Sequence, residues 1–106
     1  MNKTKRDRLE AIGWRFGSAA EFLGLSAEED AFIDIKVNLV LALRRLRARR
    51  GWTQVQVARR IRSSQSRVAK MEGGDRLVSI DLLLRALLAL GATRKELGKI
   101  IGSRAA

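Results

Sequence analysis

Apolar residues along the middle of the chain recur at helical spacing. Phe32, Ile35, Leu39, Leu43 and Leu46 stand three or four apart, which predicts a single helix with one buried stripe. The run begins at Ser26-Ala27-Glu28-Glu29. That spacing lets Ser26 accept from the backbone N–H of residue 29 while Glu29 reaches back to the N–H of Ser26. No Gly or Pro interrupts it before Gly51. A helix over 27–50 would span roughly 36 Å at 1.5 Å per residue.

Four shorter helices follow. Thr53-Gln54-Val55-Gln56 has the capping-box pattern and opens the second, which Ile61 closes. Ser63 or Ser64 caps the third, and Gly73-Gly74 ends it. Ser79 caps the fourth, running from Ile80 to Leu90, with Asp81 in its positive first turn and Gly91 past its end. Thr93-Arg94-Lys95-Glu96 opens the last, which frays near Ile101. Ahead of the long helix, Ser18-Ala19-Ala20-Glu21 has the spacing for one further helical turn. Residues 1–25 read as a partly flexible arm and 26–106 as the folded domain. No segment alternates with the period of two that a strand requires. The fold class is therefore all-α, with five helices.

Composition narrows the chemistry. The 106 residues carry 22 Lys and Arg against 11 Asp and Glu, a net charge of +11. So large a charge on one small domain points to a polyanionic partner. Cys and His are both absent. Their absence removes thiolate and imidazole metal sites, disulfides and histidine-based catalysis. The densest cluster of acids is Glu28, Glu29, Asp30 and Asp34, where a solvated helix face explains them better than a carboxylate active site. No cofactor and no enzyme activity is expected. The longest apolar run, 82–90, is broken by Arg85, well short of a bilayer span. With no secretory signal visible, the expected location is the cytoplasm, on the nucleoid.

Residues 53–74 carry the functional signal. Two short capped helices separated by about three residues have the spacing of a helix-turn-helix. Ala58 is small where the helices should cross, and Val55, Val57, Ile61, Val68 and Met71 can hold the pair to the body. The second helix leaves Gln65, Ser66, Arg67 and Lys70 outside. A glutamine can pair bidentately with adenine in the major groove, and Arg or Lys suits guanine or phosphate. Eleven of the 22 basic residues lie between Arg44 and Arg76, alongside only Glu72 and Asp75.

This segment resembles the lambda-repressor-like, Cro/Xre-type DNA-binding domain. Thr53-Gln54, Ala58, Ser64-Gln65-Ser66, Val68 and Lys70-Met71-Glu72 stand where that family's pattern places them. The likeness extends from about Leu39 to Ile101 and accommodates all five helices. It implies base contacts from Gln65, Ser66 and Lys70, phosphate contacts from Thr53 and Gln54, and a structural salt bridge between Arg47 and Glu72. Arg67 joins the base-facing group by its place on the helix, and Arg62 and Ser64 join the phosphate-facing group. Arg62 departs from the pattern, which usually has Gly at this turn. A non-Gly residue in left-handed backbone costs roughly 1–2 kcal/mol, so either the turn is reshaped or Arg62 bears that cost.

Some basic residues also have a plainer explanation. Arg44, Arg45, Arg49 and Arg50 complement the negative C-terminal end of the long helix, whether or not they touch DNA. Trp52 reads as a packed aromatic beside the turn rather than a base-stacking residue. Phe32 and Ile33 lie in a helix longer than the fold needs, and the leucines between 82 and 90 exceed one narrow stripe. Both features imply further cover, and a second copy would supply it. The expected assembly is a homodimer reading a double-stranded operator.

The whole chain also resembles compact HigA-like antitoxins of the Xre type. That resemblance implies a RelE-like toxin as a second partner, with residues 14–25 the candidate docking segment. The alternative is a basic module that binds nucleic acid or anionic membrane through charge alone.

Overall fold

The computed structural model describes residues 26–103. The arm (residues 1–25), the helical turn expected at Ser18 and the candidate toxin-docking segment lie outside the described residues. Within them the chain forms five helices and no strand: α1 (Ala27–Arg50), α2 (Gln54–Arg60), α3 (Gln65–Glu72), α4 (Ile80–Ala89) and α5 (Arg94–Gly102).

Each helix opens on a hydroxyl cap. Ser26, Thr53, Ser64, Ser79 and Thr93 all have extended backbone, and each accepts from the backbone N–H three residues on. The caps at Thr53 and Thr93 are reciprocal, with Gln56 and Glu96 bonding back to the cap N–H. The Ser26 cap is one-way: its Oγ accepts from Glu29 N at 3.1 Å.

Four helices end in one shared motif. After α1, Gly51 N donates to Ala48 O and Trp52 N to Arg47 O. After α3, Gly74 N and Asp75 N make the same pair of bonds to Met71 O and Lys70 O. After α4, Gly91 N and Ala92 N make them to Leu88 O and Leu87 O. This is the Schellman closure, which needs left-handed backbone at its turning residue. Gly51, Gly74 and Gly91 supply it with φ of 68°, 71° and 100°. After α2 the turning residue is Arg62, with φ 56°, and Ser63 N closes onto Ala58 O at 2.8 Å. The turn keeps the geometry of the other three although its residue carries a Cβ.

α1 is the spine. Its buried residues Val37, Leu39, Val40, Leu43 and Leu46 meet Val57, Val68, Met71, Leu83 and Leu87 in one apolar cluster. Two polar side chains tie the periphery to α1. Asn38 Nδ2 donates to Ser103 O at 2.7 Å, holding the end of α5. Lys36 Nζ donates to Arg76 O at 3.2 Å, holding the loop between α3 and α4. Burial pushes the Lys36 ammonium below the ordinary lysine range, the charge of Asp75 pulls it back up, and Arg76 lowers it further.

The predicted core changes in three places. Phe32 is 54% exposed. The end of α5 is held at Asn38, and on the turns of α1 before that point the inward face belongs to Ile33 and Val37. Val55 is 46% exposed. It sits about 200° around α2 from Val57, at 100° per residue, and Val57 and Ala58 take the inward side. In α4 the leucine surplus is largely absorbed by the one core. Leu83, Leu87 and Leu90 are buried, Leu82 and Leu84 pack half-buried against the same cluster, and Leu88 stays outside.

Candidate nucleic-acid interface

Positioning of α2 and α3 starts from their short apolar faces. Val57 and Ala58 of α2 and Val68 and Met71 of α3 are buried, and the small Ala58 lets the two helices approach closely. With those positions turned inward, Gln65, Ser66, Arg67 and Lys70 are all exposed on α3. The structure thus leaves all four side chains exposed, with Ser66 and Lys70 near the middle of the outward arc of α3 and Gln65 and Arg67 on its two flanks.

Behind that surface runs a polar chain. Arg47 of α1 pairs with Glu72 of α3 through two bonds, Nε to Oε2 at 2.5 Å and Nη2 to Oε1 at 2.9 Å. Arg47 Nη1 also donates to Trp52 O at 3.1 Å. Gln54 Nε2 donates to Glu72 Oε1 at 3.4 Å, and Gln65 Nε2 donates to Gln54 Oε1 at 2.7 Å. Five residues from α1, the linker, α2 and α3 are connected in this way. The bond to Gln54 uses one N–H of Gln65 and leaves the second N–H and the carbonyl oxygen of this exposed side chain outside it.

The cap residues have their own geometry. Thr53 Oγ1 accepts from Gln56 N, and Ser64 Oγ accepts from Arg67 N, each at 3.1 Å. Neither hydroxyl proton is consumed by its cap, so both can still donate to an anion. Thr53 N is engaged by Gln56 Oε1 at 2.8 Å and is not available to one. Of the two serines considered for the α3 cap, Ser64 serves. Ser63 Oγ is buried in the turn with no hydrogen-bond partner among the described residues. Arg62 is exposed at the turn itself.

Sequence reasoning missed the buried Lys36 and Asn38. Their partners are backbone carbonyls 40 and 65 residues away, and no local pattern signals such pairs. Among the described residues there is no group of acids that could hold a metal ion, and no helix is long and apolar enough to cross a membrane.

Residues 38–99 match the family model described as a helix-turn-helix domain. The match covers α2 and α3 entirely and begins inside α1 at the residue whose amide holds the end of α5. No curated protein and no solved structure matches the chain.

Proposed function

The chain belongs to the helix-turn-helix domain family, and from that premise we propose that it is a sequence-specific DNA-binding transcriptional regulator that represses by occupying an operator. The observation that carries the reading is the bond from Gln65 to Gln54. It holds an exposed primary amide at the first position of α3 with one donor and one acceptor left over, the pair that adenine presents a partner for in the major groove. Ser66, Arg67 and Lys70 extend the base-facing surface along α3. Thr53, Gln54, Arg62 and Ser64 take phosphates, the two hydroxyls through protons their caps leave free.

Residues 26–106 act as the DNA-binding domain and 1–25 as an appended arm. The protein works as a homodimer, since two recognition helices are needed to reach half-sites about one DNA turn apart. The exposed Phe32, with Ile33, Glu28 and Glu29 around it, supports an interface on the first half of α1. Exposed Leu88 supports one on α4. The finer assignment is an antitoxin, with a RelE-like toxin bound through residues 14–25. Its support is the sequence resemblance.

The test is Gln65→Ala. Loss of a bidentate base contact relaxes preference at one base pair by about 1–3 kcal/mol and leaves the other positions unchanged. An equal loss on every sequence makes Gln65 a backbone contact and removes the observation on which the reading rests. Sedimentation tests the assembly: a monomer at micromolar concentration with and without DNA contradicts the dimer.

A further inference from the structure

Two guanidinium groups lie against a single indole. Arg60 Cζ sits 4.2 Å from the centre of the Trp52 ring and Arg50 Cζ sits 5.6 Å from it, both within the roughly 6 Å reach of a cation–π contact. The two arginines come from different elements, Arg50 ending α1 and Arg60 ending α2. Their meeting point is fixed by the backbone. The Schellman closure at Gly51 turns Trp52 back over the end of α1, where its N–H donates to Arg47 O. The Trp52 carbonyl accepts from Arg47 Nη1, and the ring packs half-buried against the core.

Both arginine side chains are exposed, and neither has a salt-bridge partner among the described residues. A guanidinium stacked on an aromatic face keeps its in-plane N–H donors free, and that fork matches two oxygens of a phosphate. Stacking also fixes in advance where the fork points. Two cations held at one ring repel each other, and bound anions relieve that repulsion.

We infer that Arg50, Trp52 and Arg60 form a phosphate clamp, in which Trp52 is the positioning residue and each of the two guanidiniums takes a backbone phosphate of duplex DNA. The clamp rests on the DNA-binding reading but not on its sequence specificity. Trp52 immediately precedes Thr53 and Gln54, and Gln54 receives the Gln65 amide. A phosphate held at the ring therefore sets the height and angle at which α3 enters the groove.

The test measures affinity of the full chain for a random-sequence duplex across 50–200 mM salt, for wild type, Arg60→Ala, Trp52→Leu, Trp52→Phe and the double variant Trp52→Leu/Arg60→Ala. Each phosphate contact contributes about 0.9 to the slope of log affinity against log salt. Over this fourfold range Arg60→Ala should lose about 3.5-fold less affinity than wild type. Trp52→Leu should flatten the slope by at least as much, Trp52→Phe should restore most of it, and Arg60→Ala should add little in the Trp52→Leu background. Arg50→Ala/Arg60→Ala approaches the same point through two surface residues, so the test survives if Trp52→Leu does not fold. That variant should flatten the slope by about two contacts.

A lower melting temperature with an unchanged slope makes Trp52 a packing residue and overturns the clamp, as does full additivity in the double variant. Either result leaves specific operator binding intact as a reading. A wild-type chain that does not bind duplex DNA at all overturns both.

Discussion

Glu72→Ala removes the carboxylate on which the polar chain behind α3 converges. Glu72 is 7% exposed and Arg47 is 29% exposed. Truncating one partner of a fully buried pair costs about 3–5 kcal/mol, because the remaining charge is left without compensation. A fully exposed pair contributes about 0–1 kcal/mol. Water reaches Arg47 but scarcely reaches Glu72, so the expected loss lies between these, at about 2–3 kcal/mol. In a domain of this size about 1 kcal/mol moves the melting temperature by about 4–8 °C. The midpoint should therefore fall by roughly 10–20 °C.

Thermal and urea unfolding followed by circular dichroism would measure the loss. The double variant Arg47→Met/Glu72→Met distinguishes a stranded charge from a general defect. It should be more stable than Glu72→Ala, since no unpaired guanidinium remains. A Glu72→Ala loss below about 0.5 kcal/mol, or a double variant as unstable as the summed single variants, would refute the reasoning.

Three further outcomes follow from particular residues. Arg62→Gly should stabilise the fold by about 1 kcal/mol by relieving left-handed backbone at a residue with a Cβ, and should weaken DNA binding. Unfolding and binding measurements of opposite sign would check it, and a loss in both would show that Arg62 supports the turn. Ser63→Ala should be neutral or stabilising by up to about 1 kcal/mol, because it removes a buried hydroxyl without a partner; urea unfolding that shows a clear loss would reveal a hidden bond. Lys36 has its pKa lowered in the folded state, chiefly by burial. As pH climbs toward 10.5 the folded state releases this proton first, so the unfolded state binds more protons and stability rises. Lys36→Met should lack that rise, and a wild-type-minus-variant difference that stays flat with pH would contradict it.

The helix boundaries were legible because local chemistry sets them. Thr53, Ser64, Ser79 and Thr93 each cap a helix through bonds that span three residues, and Gly51 and Gly91 end helices by backbone conformation alone. Arg62 shows the limit of that logic. Its identity argues against a left-handed turn, yet the close packing of α2 on α3 imposes one at φ 56°.

Which side of a helix faces inward was harder to read. Phe32 and Val55 fit an apolar stripe by spacing, but their burial depends on where neighbouring helices stop. The exposed residues of α3 were legible because Val68 and Met71 fix that short helix's inward face. The Lys36 and Asn38 anchors depend on distant segments meeting, and the contacts of Arg50 and Arg60 with the Trp52 ring on how the end of α2 meets the turn after α1. Spacing along the chain carries no trace of them.

The central claim is that α3 reads a DNA sequence. Selection from a pool of random duplexes at physiological salt, followed by affinity measurement on the winners, tests it most directly. The account predicts a two-fold symmetric motif with half-sites about 10–10.5 base pairs apart. It also predicts that the motif is bound about 10³-fold or more tightly than random DNA. A pool that shows no enrichment, with selected and random duplexes bound alike, would contradict it.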